Sequence, residues 1–435
     1  MRIKKLVNNI VVRNIFYLGI GNGLIQLLGM IAVIVITAIF LPSEYGTYTY
    51  MMIQAQLIAA IADLGMRNII IRDVARAKTN RMRLYFPALV AVVFSNVIIF
   101  LFYTIYNHFL GGFTNFQLIL IGLYSFVYCV ISLTENLLIG LERMLPLSLI
   151  GVSFALIWLC FVSFFPTKLI SVEFLYLSSL LLLLLKFVAL VIELKLKEKQ
   201  KLFHEIKNPN EILTLVKKSL PFFGLVLVAL PINYLSNNFL QINSTMQEIG
   251  FFSLAQKLTS PLTMVFGILF SALFPNISIL WEENREKFHK VVEKGIMYFI
   301  LFAAGGAFLF SLLIKPVFHL FFTDEYNASI DVCKTQIWFV CLMGISSLAG
   351  TIWGAMNREK LSFKMAAINA MINVPLLWIG SKYGASGLSF SYVLSFLLFT
   401  TILWPVFVKT NKINKKRSFI WFPVVIMMVA SFLVK

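Results

Sequence analysis

Two lysines stand inside otherwise apolar stretches, and an ammonium group there could bind an anion such as a phosphate. Lys257 follows Glu248 by nine residues, and Lys186 interrupts the leucine run 180–185. At ~1.5 Å per helical residue, Lys257 lies about 13 Å from the Glu248 end. A charge at mid-membrane costs about 2.5–3.5 kcal/mol, so it usually faces a cavity or a partner. The polar neighbours of Lys257 are Gln256, Thr259 and Ser260.

Each of these cations also has a purely structural interpretation. Lys257 could pair with a carboxylate, and Lys186 could extend along its leucine face toward the membrane surface. Arg67 could receive an anionic head group at the membrane surface or pair with Asp63, four residues earlier. Arg143 could likewise receive an anionic group or have a structural role. The sequence therefore leaves a binding role and a structural role open for all four cations.

Two carboxylates and four amides complete the set of candidate site residues. Asp63 and Glu135 lie at the inner ends of their helices, where they could couple transport to an ion gradient or form salt bridges. The amides suit the hydroxyl groups of a sugar, although hydrogen bonding between helices is an equally good interpretation. These amides belong to the first two apolar runs and are Asn22, Gln26, Gln54 and Gln56.

No catalytic, metal or cofactor site is predicted. The four cysteines and four histidines are scattered without ligand or catalytic spacing. No G-x-x-x-x-G-K-[ST] phosphate loop occurs, so ATP hydrolysis by such a loop is excluded. The other energy source considered is an H⁺ or Na⁺ gradient, which needs no bound cofactor.

The composition requires lipid as the solvent for much of the surface. The 435 residues are 60% hydrophobic and 13% charged, whereas soluble domains are near half apolar and a quarter charged. Apolar runs long enough to cross a ~30 Å bilayer core recur along the chain. They fall near 14–41, 46–66, 84–106, 115–139, 146–165, 171–194, 219–242, 249–279, 291–314, 330–355, 361–381 and 384–408, with a shorter run at 418–434.

The basic residues assign sides to these runs. Most of the 37 basic residues fall in alternate connections, on the side of the N-terminus. Cytoplasmic loops carry the excess of Lys and Arg, which places the N-terminus in the cytoplasm. The net charge of +18 is therefore a topology signal and a contact with anionic lipid, and no nucleic acid is expected as a partner. The opposite side has Lys168, Lys315, Lys334, Lys382 and Lys435.

Short similarities predict an internal repeat. The segment Glu44-Tyr45-Gly46 recurs 204 positions later as Glu248-Ile249-Gly250. The sequence thus predicts an all-α polytopic membrane protein with twelve crossing helices, or thirteen with 418–434, in two parallel six-helix halves. The predicted organisation is an amphipathic cytoplasmic segment 1–13, halves at 14–194 and 219–408, a cytoplasmic linker 195–218 and a basic tail 409–435.

Three motifs carry a resemblance to a known family. The turn Pro42–Tyr48, the helix end Ala62–Met66 and the step from Gly140 to Arg143 resemble polysaccharide-biosynthesis flippases of the O-antigen (Wzx) type. Their superfamily, termed MOP, includes the MATE multidrug exporters and lipid II flippases, so the resemblance implies a MATE-like fold. It also implies that the chain moves an undecaprenyl-pyrophosphate-linked glycan to the outer leaflet of a bacterial inner membrane. A polysaccharide polymerase and a chain-length regulator are the implied protein partners.

Two other functions compete with this one. A MATE-like exporter of small organic cations would share the fold but would need carboxylates deep in the membrane, where this chain has Lys186 and Lys257. A membrane glycan polymerase or acyltransferase usually needs a large outer loop or a histidine site. The longest outer connection, 315–329, is short, so an enzyme is the least favoured alternative.

Overall fold

The computed structural model describes residues 10–77, 82–165, 171–197, 210–411 and 422–433, which are mostly helical and contain no strand. The all-α prediction is therefore confirmed. The α-helices are numbered here in chain order. They are α1 Ile10–Ile39, α2 Pro42–Ala62, α3 Met66–Arg76, α4 Tyr85–Leu110, α5 Asn115–Gly140, α6 Met144–Phe164, α7 Val172–Lys197, α8 Asn210–Leu230, α9 Ser236–Asn243, α10 Met246–Glu283, α11 Arg285–Phe321, α12 Ala328–Ala355, α13 Glu359–Ser381, α14 Gly384–Asn411 and α15 Phe422–Leu433.

Within the described ranges, 11 helical segments are long and apolar enough to cross a membrane, counting Asn210–Asn243 as one. The predicted run at 46–66 corresponds to α2, which has 21 residues but a more polar sequence and is not among them. The run at 418–434 is described from Phe422 to Leu433, and this α15 packs against α11. The Trp338 indole N–H donates to Ser431 Oγ at 2.8 Å, which attaches α15 to α12.

The helices extend into segments that the sequence assigns to surface regions. Helix α1 begins at Ile10, inside the predicted segment 1–13, and residues 1–9 lie outside the described part. Helix α7 continues to Lys197 and α8 begins at Asn210, so both ends of the predicted linker 195–218 are helical. An acidic residue, Glu211, lies in the first turn of α8, where it complements the helix dipole. Residues 198–209 and 412–421 lie outside the described part.

The chain divides into two compact units, which are described separately here. The first comprises Met1–Ile36 and Thr47–Leu230, and the second comprises Thr37–Gly46 and Pro231–Lys435. In the first unit, α5 packs against α3, α4 and α7. In the second, α12 packs against α10, α11 and α14. Most of the residues of α5 and of α12 are buried, as expected for helices that are apolar on all sides.

A sharp turn separates α2 from α3. Leu64 and Gly65 both have positive φ, 50° and 76°, in the left-handed region that only glycine adopts at little cost. Gly65 also lies against the α8 backbone at Ser219 and Phe223, where a Cβ would meet main-chain atoms. The Asp63-Leu64-Gly65 break is therefore needed both for the turn and for the close packing of α8.

The helix that starts at Asn210 changes geometry at Pro231–Leu235, which form a π-helix between α8 and α9. Pro231 has no backbone N–H, so the regular hydrogen-bond ladder cannot pass through it. The Tyr392 hydroxyl donates to the Ile232 carbonyl at 2.7 Å and satisfies one backbone group of this segment. The π-helix coincides with the boundary between the two units.

The first turns of α2 and α10 meet backbone to backbone within the second unit. A Cβ at Gly46 would overlap the carbonyl oxygen of Met246, and a Cβ at Gly250 would overlap that of Pro42. Both pairs of equivalent positions, 42 with 246 and 46 with 250, are 204 apart. The contact is reciprocal, which is compatible with the predicted repeat.

Candidate functional site

Lys186 of α7 and Glu135 of α5 form an ion pair in the first unit. The Lys186 Nζ lies 2.7 Å from Glu135 Oε1, and the two side chains are 23% and 30% exposed. Two side chains that the sequence assigns to different roles, anion binding and ion coupling, are thus brought together. In this arrangement the carboxylate neutralises the lysine, so an anion would have to compete with Glu135 for it.

A second ion pair lies two helical turns further along α7. Arg143 precedes α6 and its Nη1 lies 3.3 Å from Glu193 Oε1, while the same nitrogen donates to the Glu193 carbonyl at 3.4 Å. Lys186 and Glu193 are seven residues apart, so they share one side of α7. The side of α7 that meets α5 and α6 therefore carries a cation and an anion, each matched by the opposite charge.

Asp63 contacts Arg67 through the backbone rather than through the guanidinium group. The Arg67 N–H donates to Asp63 Oδ2 at 3.3 Å, so the carboxylate satisfies one of the free N–H groups at the start of α3. The Arg67 side chain is exposed, and no ion pair with Asp63 is found. Asp63 thus acts as a local cap, and Arg67 remains available at the surface.

The four predicted amides all lie in the first unit, in α1 and α2. Asn22 is exposed, Gln56 is half-buried and Gln54 is fully buried. The carbonyl oxygen of Gln26 is buried and has no hydrogen-bond partner among the described residues. Asn22 and Gln26 are one turn apart on α1 and therefore share a face.

Lys257 is the one predicted site residue in the second unit. It is half-buried on α10, and no hydrogen bond or ion pair to its ammonium group is found within the described ranges. Ser253, one turn earlier, is buried, and its hydroxyl likewise has no described partner. The Ser260 hydroxyl donates to the Lys257 carbonyl at 2.9 Å. Ser253, Gln256, Lys257 and Ser260 thus form a polar stripe along α10.

The second unit also contains buried amides that the sequence reasoning missed. Asn373 Nδ2 donates to Asn369 Oδ1 at 2.7 Å, and Ser395 Oγ donates to Asn373 Oδ1 at 2.7 Å. Asn237 of α9 is fully buried, and neither of its side-chain polar atoms has a described partner. The sequence feature that could have indicated this network is the pair Asn369 and Asn373, four residues apart within an apolar run.

The described site residues offer groups that can bind and orient a ligand. Among the described residues, no group of three or more His, Cys, Asp or Glu side chains could hold a metal ion. The first unit offers two ion pairs and several amide groups, and the second offers Lys257, which has no described ion-pair partner, with hydroxyl and amide groups along α10. This set suits a polar ligand with an anionic part.

Comparisons with known proteins show a family match and a shared fold. The sequence profile described as polysaccharide biosynthesis protein matches residues 11–281. Among curated protein sequences, none matches the chain. A lipid II flippase, MurJ, in an inward closed conformation superposes with a TM-score of 0.69 at 16% identity, covering 96% of this chain and 92% of that one.

Two further solved structures share the fold. An inward-facing multidrug resistance MATE family transporter of the MOP superfamily has a TM-score of 0.69 at 16% identity, covering 90% of this chain and 96% of that one. A MOP superfamily transporter from Pyrococcus furiosus has a TM-score of 0.63 at 15% identity, with 94% and 96% covered. It is described as having a binding pocket of reverse polarity that suggests a different function. These likenesses establish the fold of a multi-pass membrane transporter, as the sequence predicts.

Proposed function

Because the chain belongs to the polysaccharide biosynthesis protein family, we propose that it is a flippase for a lipid-linked oligosaccharide. The proposed substrate is an undecaprenyl-pyrophosphate-linked repeat unit of O-antigen or a related surface polysaccharide. The chain would move it from the cytoplasmic to the outer leaflet by alternating access. The fold that it shares with a lipid II flippase supports this proposal.

The observation that carries the proposal is the charge of Lys257, which has no hydrogen bond or ion pair among the described residues. A half-buried ammonium group without a carboxylate partner attracts an anion, and a pyrophosphate supplies two adjacent negative groups. An exporter of organic cations would need the opposite charge at this place. The Pyrococcus furiosus transporter, with its pocket of reverse polarity, supports the idea that pocket charge separates functions on this fold.

The neutral groups around Lys257 suit the sugar part of such a substrate. Ser253, Gln256 and Ser260 present hydroxyl and amide groups along α10. In the first unit, Asn22, Gln26, Gln54 and Gln56 are proposed to contact sugar hydroxyls. Lys186, Arg67 and Arg143 are proposed to bind the anionic head group at other stages of the cycle.

The remaining parts of the proposal concern energy, location and partners. We propose coupling to an H⁺ or Na⁺ gradient through Asp63 and Glu135, without a bound cofactor. The chain would lie in a bacterial inner membrane with its N-terminus in the cytoplasm, where loops rich in Lys and Arg reside. It would act as a transporter rather than an enzyme, alongside a polysaccharide polymerase and a chain-length regulator.

Substitutions at Lys257 test the function directly. Lys257→Ala should reduce surface glycan about tenfold or more at equal protein level, because a charge-assisted hydrogen bond contributes roughly 1.5–3 kcal/mol. Lys257→Arg should retain part of the activity. The matched control is Lys290→Ala, which removes an exposed lysine at the start of α11 and should leave the glycan unchanged.

Two outcomes would overturn the assignment. Normal surface glycan in the Lys257→Ala strain would show that Lys257 does not make the proposed contact with the pyrophosphate. Energy-dependent efflux of small organic cations by the wild-type chain, with no change in surface glycan on its deletion, would instead favour the MATE-like exporter.

A further inference from the structure

A cavity of about 440 Å³ lies in the first unit, where the end of α3, the start of α4 and the first turns of α8 come together. It is separate from Lys186, Glu135 and the amides of the candidate site. The residues around it combine charged and polar groups with apolar ones. They are Asp73, Arg83, Leu84, Pro87, Asn210, Glu211, Thr214, Leu215 and Lys218.

The sequence of two packed helices places this cavity at the level of the lipid head groups. Arg83 is the last charged residue before the apolar helix α4, and Lys218 is the last before the apolar part of α8. Helices α4 and α8 pack against each other. Because both change from charged to apolar at the cavity, it lies at the boundary between water and hydrocarbon.

The charges around the cavity leave one cation without a partner. Arg83 Nη2 lies 2.8 Å from Glu211 Oε1, so this acid already holds a guanidinium group. Asp73 Oδ1 lies 2.7 Å from Arg72 Nε, so the second acid is also neutralised. Lys218 is exposed, and its ammonium group has no ion pair among the described residues. When Arg72 is counted together with the lining residues, these groups carry one excess positive charge, which a single anionic group would balance.

The uncharged lining residues favour a lipid over a free ion. Asn210 and Thr214 are one turn apart on α8 and can hydrogen-bond to phosphate or glycerol oxygens. Leu84, Pro87 and Leu215 form an apolar side that a free phosphate would not use. We propose that this cavity binds the singly charged phosphodiester head group of an anionic glycerophospholipid, with Lys218 as its counter-ion.

Such a lipid would stabilise the packing of α8 in the first unit. Helix α8 already lies close to the turn after α2 at Gly65, and the Arg72 guanidinium lies 5.8 Å from the centre of the Phe222 ring. A head group held between Arg83 on one side and Lys218 on the other would add contacts between α8 and α4. Bound lipid should therefore raise the temperature at which the purified protein unfolds.

The test is thermal unfolding of the purified full chain in detergent, titrated with phosphatidylglycerol. The wild-type midpoint should rise with this lipid. Lys218→Gln should need an about fivefold higher lipid concentration for the same rise, as expected for one Lys near an anionic head group. The matched control is Lys217→Gln, which loses the same charge one residue away but does not line the cavity.

The same titration separates the sources of the phosphate group. Inorganic phosphate and phosphatidylcholine should leave the midpoint unchanged. If inorganic phosphate raises the midpoint equally, the cavity binds a free ion and the lipid proposal is wrong. If phosphatidylcholine raises it equally, the ligand does not need a net negative charge and the proposal is also wrong. If the midpoint of Lys218→Gln rises with phosphatidylglycerol as that of the wild type does, Lys218 is not the counter-ion. If Lys218→Gln fails to fold, Thr214→Val provides the second test, since it keeps every charge and should also weaken the response.

Discussion

Helices α2 and α10 are the elements that the predicted repeat aligns, and they are alike at one end and different in the middle. Their first turns touch through Gly46 and Gly250 in a reciprocal contact. Seven residues further on, Ile53 of α2 corresponds to Lys257 of α10 at the same offset of 204. The contact needs glycine at both aligned positions, 46 and 250. At the second aligned pair, 53 and 257, only Lys257 is charged. We infer that the shared position serves the scaffold and the differing one serves the substrate.

The half-buried cations among the candidate site residues also differ between the two units. In the first unit, Lys186 is paired with a carboxylate of α5, and Arg143 is paired with a carboxylate of α7. In the second, Lys257 has no described partner, and the polar network at Asn373 consists of neutral amide and hydroxyl groups. A paired charge mainly fixes the helices that carry it, while an unpaired one remains available to a ligand. The predictions below test this distinction.

Exchanging the residues at the two aligned positions should produce the largest effect. Ile53→Lys places an unpaired charge in α2 and should destabilise the folded chain by about 3 kcal/mol, the cost of a lysine at mid-membrane. Lys257→Ile should raise the unfolding midpoint while it abolishes glycan export, because a functional charge trades stability for activity. Thermal unfolding of both variants in detergent measures this. Equal stability of Ile53→Lys and wild type would mean that either helix accepts a lysine.

Replacing the shared glycines should have the second largest effect. Gly46→Ala and Gly250→Ala each drive a methyl group into a carbonyl oxygen of the facing helix, and overpacking of this kind costs about 2 kcal/mol. The two variants should lose similar amounts of stability and of surface glycan, since the contact is reciprocal.

Gly267→Ala on the same helix α10 is the matched control, because no heavy atom lies within 4 Å of its added Cβ. Alanine is the better helix former by roughly 0.5–1 kcal/mol, so this variant should be slightly more stable. If Gly250→Ala behaves like Gly267→Ala, the helices do not need this close approach.

The sequence predicted features that depend on local composition. Apolar runs of membrane length gave the helices, since each ~30 Å crossing needs about 20 apolar residues. The Asp63-Leu64-Gly65 break was visible as a helix end, and the structure adds the positive φ angles that produce it. The extension of α8 back to Asn210 was missed because its first turns are polar, and polarity was taken as the sign of a linker.

The side-chain partners could not be predicted because they join distant parts of the chain. Glu135 and Lys186 are 51 residues apart, and no spacing rule relates two separate helices. Ser253 was missed although it is one turn from Lys257, since a serine near an apolar run is common and only its burial makes it notable. The π-helix at Pro231–Leu235 likewise has a partner that is remote in sequence, since the Tyr392 hydroxyl donates to the Ile232 carbonyl.

A double-mutant cycle on Lys186 and Glu135 should show the smallest of these effects and tests pairing itself. Glu135→Ala leaves a half-buried lysine without a partner, as at Lys257, and Lys186→Ala leaves a lone carboxylate. Each should lower the free energy of unfolding by on the order of 1 kcal/mol, between the values for exposed and buried pairs. The double variant should lose less than the two singles together, because removing both charges leaves none uncompensated.

The exposed pair Lys290–Glu286 is the control, and its cycle should show no measurable coupling. Additive effects at Lys186 and Glu135 would mean that the carboxylate does not hold the lysine. The first unit would then also carry a half-buried cation that is available to a ligand, and Lys257 would lose its special position.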